Sequence, residues 1–286
     1  MKIALCNEVI RELPFAEQCA LAAGLGYDGI EIAPFTLDAA PHLLSPARIA
    51  EIRRAAQEAG LAISGLHWLL LAPEGMSITS PDPEVRRFTE DTVRRLVDLC
   101  AELGGGYVVH GSPGQRMLAR GREAEDRANA LAYFAAMAEA AEAAGITYLL
   151  EPLSPEKTNF IVNVAEAAAI VDEIGSDALR TMIDCNSAGT REDLPVPDLI
   201  AHWLPGGKVA HVHYNDPNRR GPGQGAMDFA PITAALRAGG YQGWIGVEPF
   251  VYEPDGPACA ARAIGYIRGI EAALSQGAGA GPAERS

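Results

Sequence analysis

A chain of 286 residues, 48% apolar and 21% charged, has material for one large domain or two small ones with a sizeable core. Its 37 acidic residues outnumber 23 basic ones, and the net charge of −14 repels polyanions, which argues against nucleic acid or an anionic membrane as partner. Cys6, Cys19, Cys100, Cys185 and Cys259 are widely spaced and include no C-x-x-C, a pattern that predicts reduced thiols in a cytoplasmic protein. Residues 1–10 hold Lys2 and Glu8 and read as neither signal peptide nor membrane span, and no long apolar run follows.

In chain order, a strand over 2–6 leads to a helix over 14–24, and a strand over 27–33 to a helix over 45–59. A strand over 61–67 is followed by a Pro/Gly/Ser loop and a long amphipathic helix over 82–103. The strand over 107–110 precedes an alanine-rich helix over 122–144, and that over 146–151 a helix over 164–174. The strand over 179–184 runs into a polar loop and a helix near 197–203. A seventh strand over 208–216 precedes a helix over 229–238, and an eighth over 244–248 a helix over 258–273. Strand then helix thus recurs eight times, and the strands are apolar without strict alternation, so both faces are covered. This predicts an α/β fold, a single (β/α)8 TIM barrel over 1–275, with a disordered Gly/Ala-rich tail over 276–286. An open doubly wound sheet is the rival, but residues 6–9 (CNEV) lack its glycine-rich turn.

In such a barrel the chemistry collects at the C-terminal ends of the strands. Those positions hold Asn7 and Glu8, Glu31, His67, His110, Glu151, Asp184, His213 and Glu248. Glu151, Asp184, His213 and Glu248 end four successive strands, and three carboxylates converging on one mouth repel one another unless a cation joins them. Oxygen-rich ligation with one imidazole favours Mn²⁺, with Mg²⁺ or Co²⁺ as alternatives, over structural zinc. His67 and His110 are candidates for substrate contact or for structural hydrogen bonds. His211 shares a face with His213 and reads as a core or supporting group, and Glu8 and Glu31 read as structural.

Four segments carry a likeness: 149–153 (LLEPL), 182–184 (MID), 211–213 (HVH) with 218–223 (NRRGPG), and 247–251 (VEPFV). They resemble the xylose-isomerase-like barrel superfamily, in particular the branch of sugar isomerases and epimerases that includes the D-tagatose/D-psicose 3-epimerases. The resemblance spans essentially the whole chain. It implies that Glu151, Asp184, His213 and Glu248 bind a divalent ion, that Glu151 and Glu248 are the acid–base pair, and that Arg219 contacts substrate. Two positions differ from those epimerases. Ser187 stands where they have a histidine, and Lys157 where they have a glutamate, with Glu156 one place early as a candidate substrate contact.

The expected activity is proton removal next to a carbonyl of a ketose or keto-polyol, through an enediolate stabilised by the metal. Two bases give epimerisation and one gives aldose–ketose isomerisation. With a leaving hydroxyl, one base gives a dehydratase or lyase acting on a keto-sugar or keto-inositol. A nuclease of the endonuclease IV type would share His67, His110, Glu151, Asp184, His213 and Glu248, but it needs a histidine at Ser187 and a further Asp-x-His. A non-catalytic sugar-binding barrel is a remaining rival. The expected partner is a small sugar, and a homo-oligomer is expected.

Overall fold

A computed structural model of the chain describes residues 1–277. Eight strands, all parallel, close into a barrel in sequence order, β8 pairing with β1. They are β1 Lys2–Cys6, β2 Gly29–Ile32, β3 Ala62–Leu66, β4 Tyr107–His110, β5 Thr147–Leu150, β6 Leu179–Asp184, β7 Val209–Tyr214 and β8 Trp244–Val247. The helices are α1 Phe15–Leu25, α2 Pro46–Glu58, α3 Pro83–Leu103, α4 Glu123–Ala144, α5 Val164–Ile174, α6 Cys185–Arg191, α7 Val196–Trp203, α8 Phe229–Ala238 and α9 Gly256–Gly277. No described helix is long and apolar enough to cross a membrane.

Helix boundaries follow local chemistry. The side chains of Ser45, Asp82, Asn163 and Asp228 accept hydrogen bonds from first-turn amides of α2, α3, α5 and α8, the usual role of a short polar residue at a helix start. Gly104 and Gly145 end α3 and α4 at φ 86° and 70°, a left-handed turn that glycine adopts without a steric penalty. Two elements differ from expectation. Between β6 and α7 the polar loop is helix α6, started by Asp184, whose Oδ1 accepts the Ser187 amide at 2.7 Å. The last helix reaches Gly277, so 276 and 277 belong to it; the rest of the expected tail, 278–286, lies outside the described residues.

Period two sorts the strand residues into two layers. Leu66, Val108, Tyr148, Leu150, Ile183, Val212 and Val247 face outward into one continuous core with the helices. Tyr107, Val109, Leu149 and Met182, with Ala210 and Trp244, fill the inside of the barrel as a separate cluster. One pleat nearer the C-terminal ends, the inward positions turn polar. That change of character places the site.

Candidate active site and metal centre

Glu151, Asp184, His213 and Glu248 each lie two residues beyond an inward-facing residue (Leu149, Met182, His211 and Gly246), so the pleat aims all four into one layer at the mouth. One donor atom from each of the four lies within 4.8 Å of the others, and all four residues are buried. Register pairs Asp184 with His213 across β6 and β7, after an irregularity between Thr181 and Met182. Two glycines make room. A Cβ on Gly111 would stand 1.6 Å from Glu151 Oε2, and one on Gly246 would stand 2.7 Å from both Glu31 Oε2 and the His213 ring.

Beneath and beside this ring sits a set of orienting contacts. His213 Nε2 lies 2.9 Å from Glu31 Oε1, and the Tyr107 hydroxyl donates to Glu31 Oε2 at 2.7 Å. Burial works against charge on Glu31, but His211 and His213 overcome it and hold its carboxyl well below the usual carboxylate range. His67 bridges Glu248 Oε1 at 3.1 Å and Glu8 Oε2 at 3.0 Å. Its burial opposes protonation, yet the flanking carboxylates Glu8 and Glu248 raise its pKa to about 10, so the imidazolium donates to both. Asn215 Nδ2 donates to Asp184 Oδ2 at 2.6 Å and reaches Glu248 Oε2 at 3.4 Å, while Asn215 Oδ1 accepts the Asn186 amide at 2.8 Å.

The ring's own electrostatics test whether a cation belongs there. His213 Nδ1 lies 3.1 Å from Glu248 Oε2 and 3.7 Å from Glu151 Oε1, yet it is a buried nitrogen with no aligned hydrogen-bond partner. Burial raises the pKa of Glu151, and the neighbouring charges of Glu248 and Asp184 raise it further, against the pull of His213. For Glu248, burial is outweighed by His213 and His67, which hold it down at about 2. Three carboxylates, one of them strained upward, around an imidazole nitrogen aimed at their oxygens form a donor set suited to a hard or borderline divalent ion. The residues fit such an ion.

The ring opens into a cavity of about 120 Å³ lined by Trp68, Gly111, Pro113, Leu153, Lys157, Arg219 and Phe250 together with Glu151 and Asp184. Trp68 stacks on Phe250 at 5.9 Å between ring centres, and Phe35 lies 5.7 Å from Trp68. Trp68 and Arg219 both take left-handed backbone conformations, φ 53° and 68°, uncommon for residues with a Cβ. Arg219 is fixed there because its carbonyl accepts the amides of Phe250 and Val251 at 2.8 and 2.9 Å.

Of the residues picked out by sequence, Glu151, Asp184, His213 and Glu248 meet in the ring, Arg219 lines the cavity, and His67 supports Glu248. The other two lie elsewhere. His110 follows Val109 and therefore points outward. Its Nδ1 meets the Tyr148 hydroxyl at 2.7 Å, and its ring lies edge-on to Phe134 at 5.2 Å, which removes it from substrate contact. Glu156 is 54% exposed and paired with Arg191, and does not line the cavity. Sequence reasoning passed over Asn215 and Phe250, although each lies two residues beyond a ring ligand and period two points at both. It also gave no role to Trp68, Leu153 or the cavity-lining Lys157.

A family model for the xylose isomerase-like TIM barrel matches residues 19–270. The D-psicose 3-epimerase of Ruminiclostridium cellulolyticum is 28% identical over 235 residues, which cover 80% of this chain and 76% of that protein. The L-ribulose 3-epimerase of Mesorhizobium japonicum is 30% identical over 184 residues, 63% of this chain and 60% of that one. Among solved structures, that of an L-ribulose 3-epimerase superposes with a TM-score of 0.83 at 23% identity, covering 100% of both chains. With the match spanning nearly the whole barrel, the chain belongs to the xylose isomerase-like TIM-barrel family and stands among its isomerase-class enzymes.

Proposed function

We propose that this chain is a divalent-metal-dependent sugar epimerase or isomerase that moves a proton on a carbon next to a carbonyl of a ketose or keto-polyol. The observation that carries the reading is the convergence of Glu151, Asp184, His213 and Glu248 within 4.8 Å at the floor of an open cavity. The sugar 3-epimerases among its relatives support the same substrate class.

Glu151 and Glu248 follow β5 and β8, three strands apart round the barrel, so they can approach a bound sugar from opposite sides. On this reading one carboxylate takes the proton from one face and the other returns a proton to the opposite face, which inverts the carbon. His67 and Asn215 hold Glu248 in place, and Glu31 holds His213. Arg219 donates to substrate oxygens, and the Trp68–Phe250 pair with Leu153 covers the sugar's apolar face and excludes water. A bound divalent ion, Mn²⁺ before Mg²⁺ or Co²⁺ for this oxygen-rich set, would supply Lewis-acid stabilisation of negative charge on the substrate's oxygens.

A nuclease would need His110 as a ligand, and His110 is turned into the helix layer. The five cysteines are buried and unpaired, which fits a reducing cytoplasm. A homo-oligomer is the proposed assembly, checked by light scattering.

The test incubates Mn²⁺-loaded protein with a panel of ketoses and keto-inositols in D₂O and follows carbon-bound deuterium by NMR. Exchange next to the carbonyl with formation of the epimer is expected, and chelation of the ion should abolish it. Glu151→Gln and Glu248→Gln, with metal content measured beside the rate, should each lose at least about a hundredfold in turnover. Full turnover by metal-replete Glu151→Gln would refute two-base epimerisation and leave a one-base isomerase, and loss of water from the substrate would move the enzyme to the dehydratases.

A further inference from the structure

We propose that Lys157 and Arg219 form an anion-holding pair at the lip of the cavity, so that the substrate carries a phosphate or carboxylate at the end remote from its reacting carbons. The inference deepens the epimerase reading and rests on it for the inner end of the substrate.

The two cations come from different loops, Lys157 after β5 and Arg219 after β7, and both line the cavity that holds Glu151 and Asp184. They converge on one ring: Lys157 Nζ lies 5.6 Å and the Arg219 guanidinium 5.5 Å from the centre of Phe250. Among the described residues neither has a carboxylate within 4.0 Å. The contrast with their sequence neighbours is informative. Glu156, beside Lys157, is paired with Arg191, and Arg220, beside Arg219, is paired with Glu253. In each loop the adjacent charge is neutralised outside the cavity, and the cation that faces the cavity keeps its charge for something else. Both side chains are exposed at the lip, where an anion on the outer end of a ligand can reach them.

Within the ring, a divalent ion would offset two of the three carboxylates. The buried guanidinium of Arg116, which donates to the Glu151 carbonyl at 2.8 Å, already adds a positive charge beside the ring. The left-handed backbone of Arg219, fixed by two amides from the loop after β8, sets the residue at the edge of the cavity, where its guanidinium lies over the Phe250 ring. Guanidinium and ammonium groups together are suited to phosphate and carboxylate oxygens, and a neutral ketose offers neither.

The experiment compares matched ligands: fructose, fructose 6-phosphate and fructuronate, which carry respectively a hydroxyl, a phosphate and a carboxylate at the far end. Binding to the Mn²⁺-loaded protein is measured by calorimetry at low and high salt, and turnover is followed beside it. The phosphate or the carboxylate ligand should bind about tenfold or more tighter than fructose at low salt, with the advantage shrinking in high salt as screening grows. Whichever of the two binds better identifies the source of the anion. Lys157→Glu should lower the ratio of anionic to neutral affinity by about fivefold, whereas Arg191→Gln, outside the cavity, should leave the ratio unchanged. Equal affinity for all three ligands would overturn the proposal. So would an anion preference untouched by Lys157→Glu, since the anion would then be held by the ion alone. Turnover of fructose with no anion preference sinks this inference and keeps the epimerase reading. Lys157-dependent anion binding without proton exchange in any ligand does the reverse.

Discussion

His213 has two ring nitrogens with different surroundings, and the difference decides what the residue can do. Nε2 lies 2.9 Å from Glu31 Oε1, so in the neutral ring that a bound ion would require, the proton sits on Nε2 and the lone pair of Nδ1 faces the oxygens of Glu248 and Glu151. Glu31 is in turn fixed by the Tyr107 hydroxyl, with His211 Nε2 3.1 Å away but not aligned for a hydrogen bond. A carboxylate that orients a ligand histidine commonly changes metal affinity by about 10–100-fold when it is altered. Glu31→Ala should therefore weaken Mn²⁺ binding by that order in calorimetry, with Glu31→Gln falling between it and the parent because the amide oxygen can still accept from Nε2. Unchanged affinity in Glu31→Ala would reduce Glu31 to a filler of the barrel interior. Sequence alone undervalued this residue because an acidic group ending a strand is usually a cap or an ion-pair partner, and only the closed barrel brings β2 across to β7. The opposite error at His110 has a plain cause. The stretch Tyr107, Val108, Val109 is apolar on both faces, so no alternation reveals which way the next side chain points.

At the scale of elements, the loops after β4 and β5 are joined by one buried side chain. Arg116, fully buried at the end of a short turn (Gly114–Arg116), donates to the carbonyls of His110 at 3.3 Å, Glu151 at 2.8 Å and Ile161 at 3.4 Å. Burial pulls its pKa down, and the nearby charges of Glu151 and Glu166 resist, leaving it at about 10, so the group remains a cation at neutral pH. Each buried carbonyl stripped of its donor costs roughly 1–3 kcal/mol. Arg116→Met should thus lower the urea midpoint by the equivalent of about 3 kcal/mol, and kcat should fall because Glu151 is no longer anchored through its own carbonyl. A midpoint within experimental error of the parent would mean that water replaces the guanidinium without loss. A buried arginine of this kind is invisible to pattern reading, since its surroundings come from two other loops. Helix α6 was hidden for a related reason. Residues 185–191 (CNSAGTR) carry no apolar period, and the helix is set by tertiary contacts: the Asp184 cap, the Asn186 amide on Asn215, and the Asn186 side chain on the Asp216 carbonyl at 2.9 Å.

For the molecule as a whole, the barrel was legible because eight apolar strands alternate with helices of ordinary length, and each repeat carries its own start and stop residues. The ring was legible because period two and strand ends alone locate it. Much of the cavity wall was not, since Trp68 and Lys157 project from irregular loops whose path no periodicity encodes, and Arg219 was reached only through the resemblance. A divalent ion held by the ring would couple its binding to global stability. Folding buries Glu151 and brings it beside Asp184 and Glu248 whether or not an ion is present, and burial together with the resulting repulsion raises its pKa. A group with a raised folded pKa favours the native state at pH below its unfolded value, and that contribution is lost as pH rises through the folded one. Metal-free protein should therefore lose this contribution as Glu151 ionises. The lowered pKa of Glu248 acts in the opposite sense, and its contribution disappears only as pH falls towards about 2. An ion needs Glu151 deprotonated, so its benefit grows with pH over the range in which the metal-free protein weakens. With free Mn²⁺ at about a hundred times its Kd, mass action adds about 2.7 kcal/mol. For a chain of this size that corresponds to a Tm increase of roughly 5 °C. Calorimetric scans at about pH 7.5 should show this shift. Scans at about pH 5.5 and the same Mn²⁺ concentration should show a smaller one, because protons compete for the same oxygens. In His213→Ala the shift should vanish at both. An equal Mn²⁺-dependent shift in parent and variant would place the ion somewhere other than the ring, and the mechanism built on these four residues would fall with it.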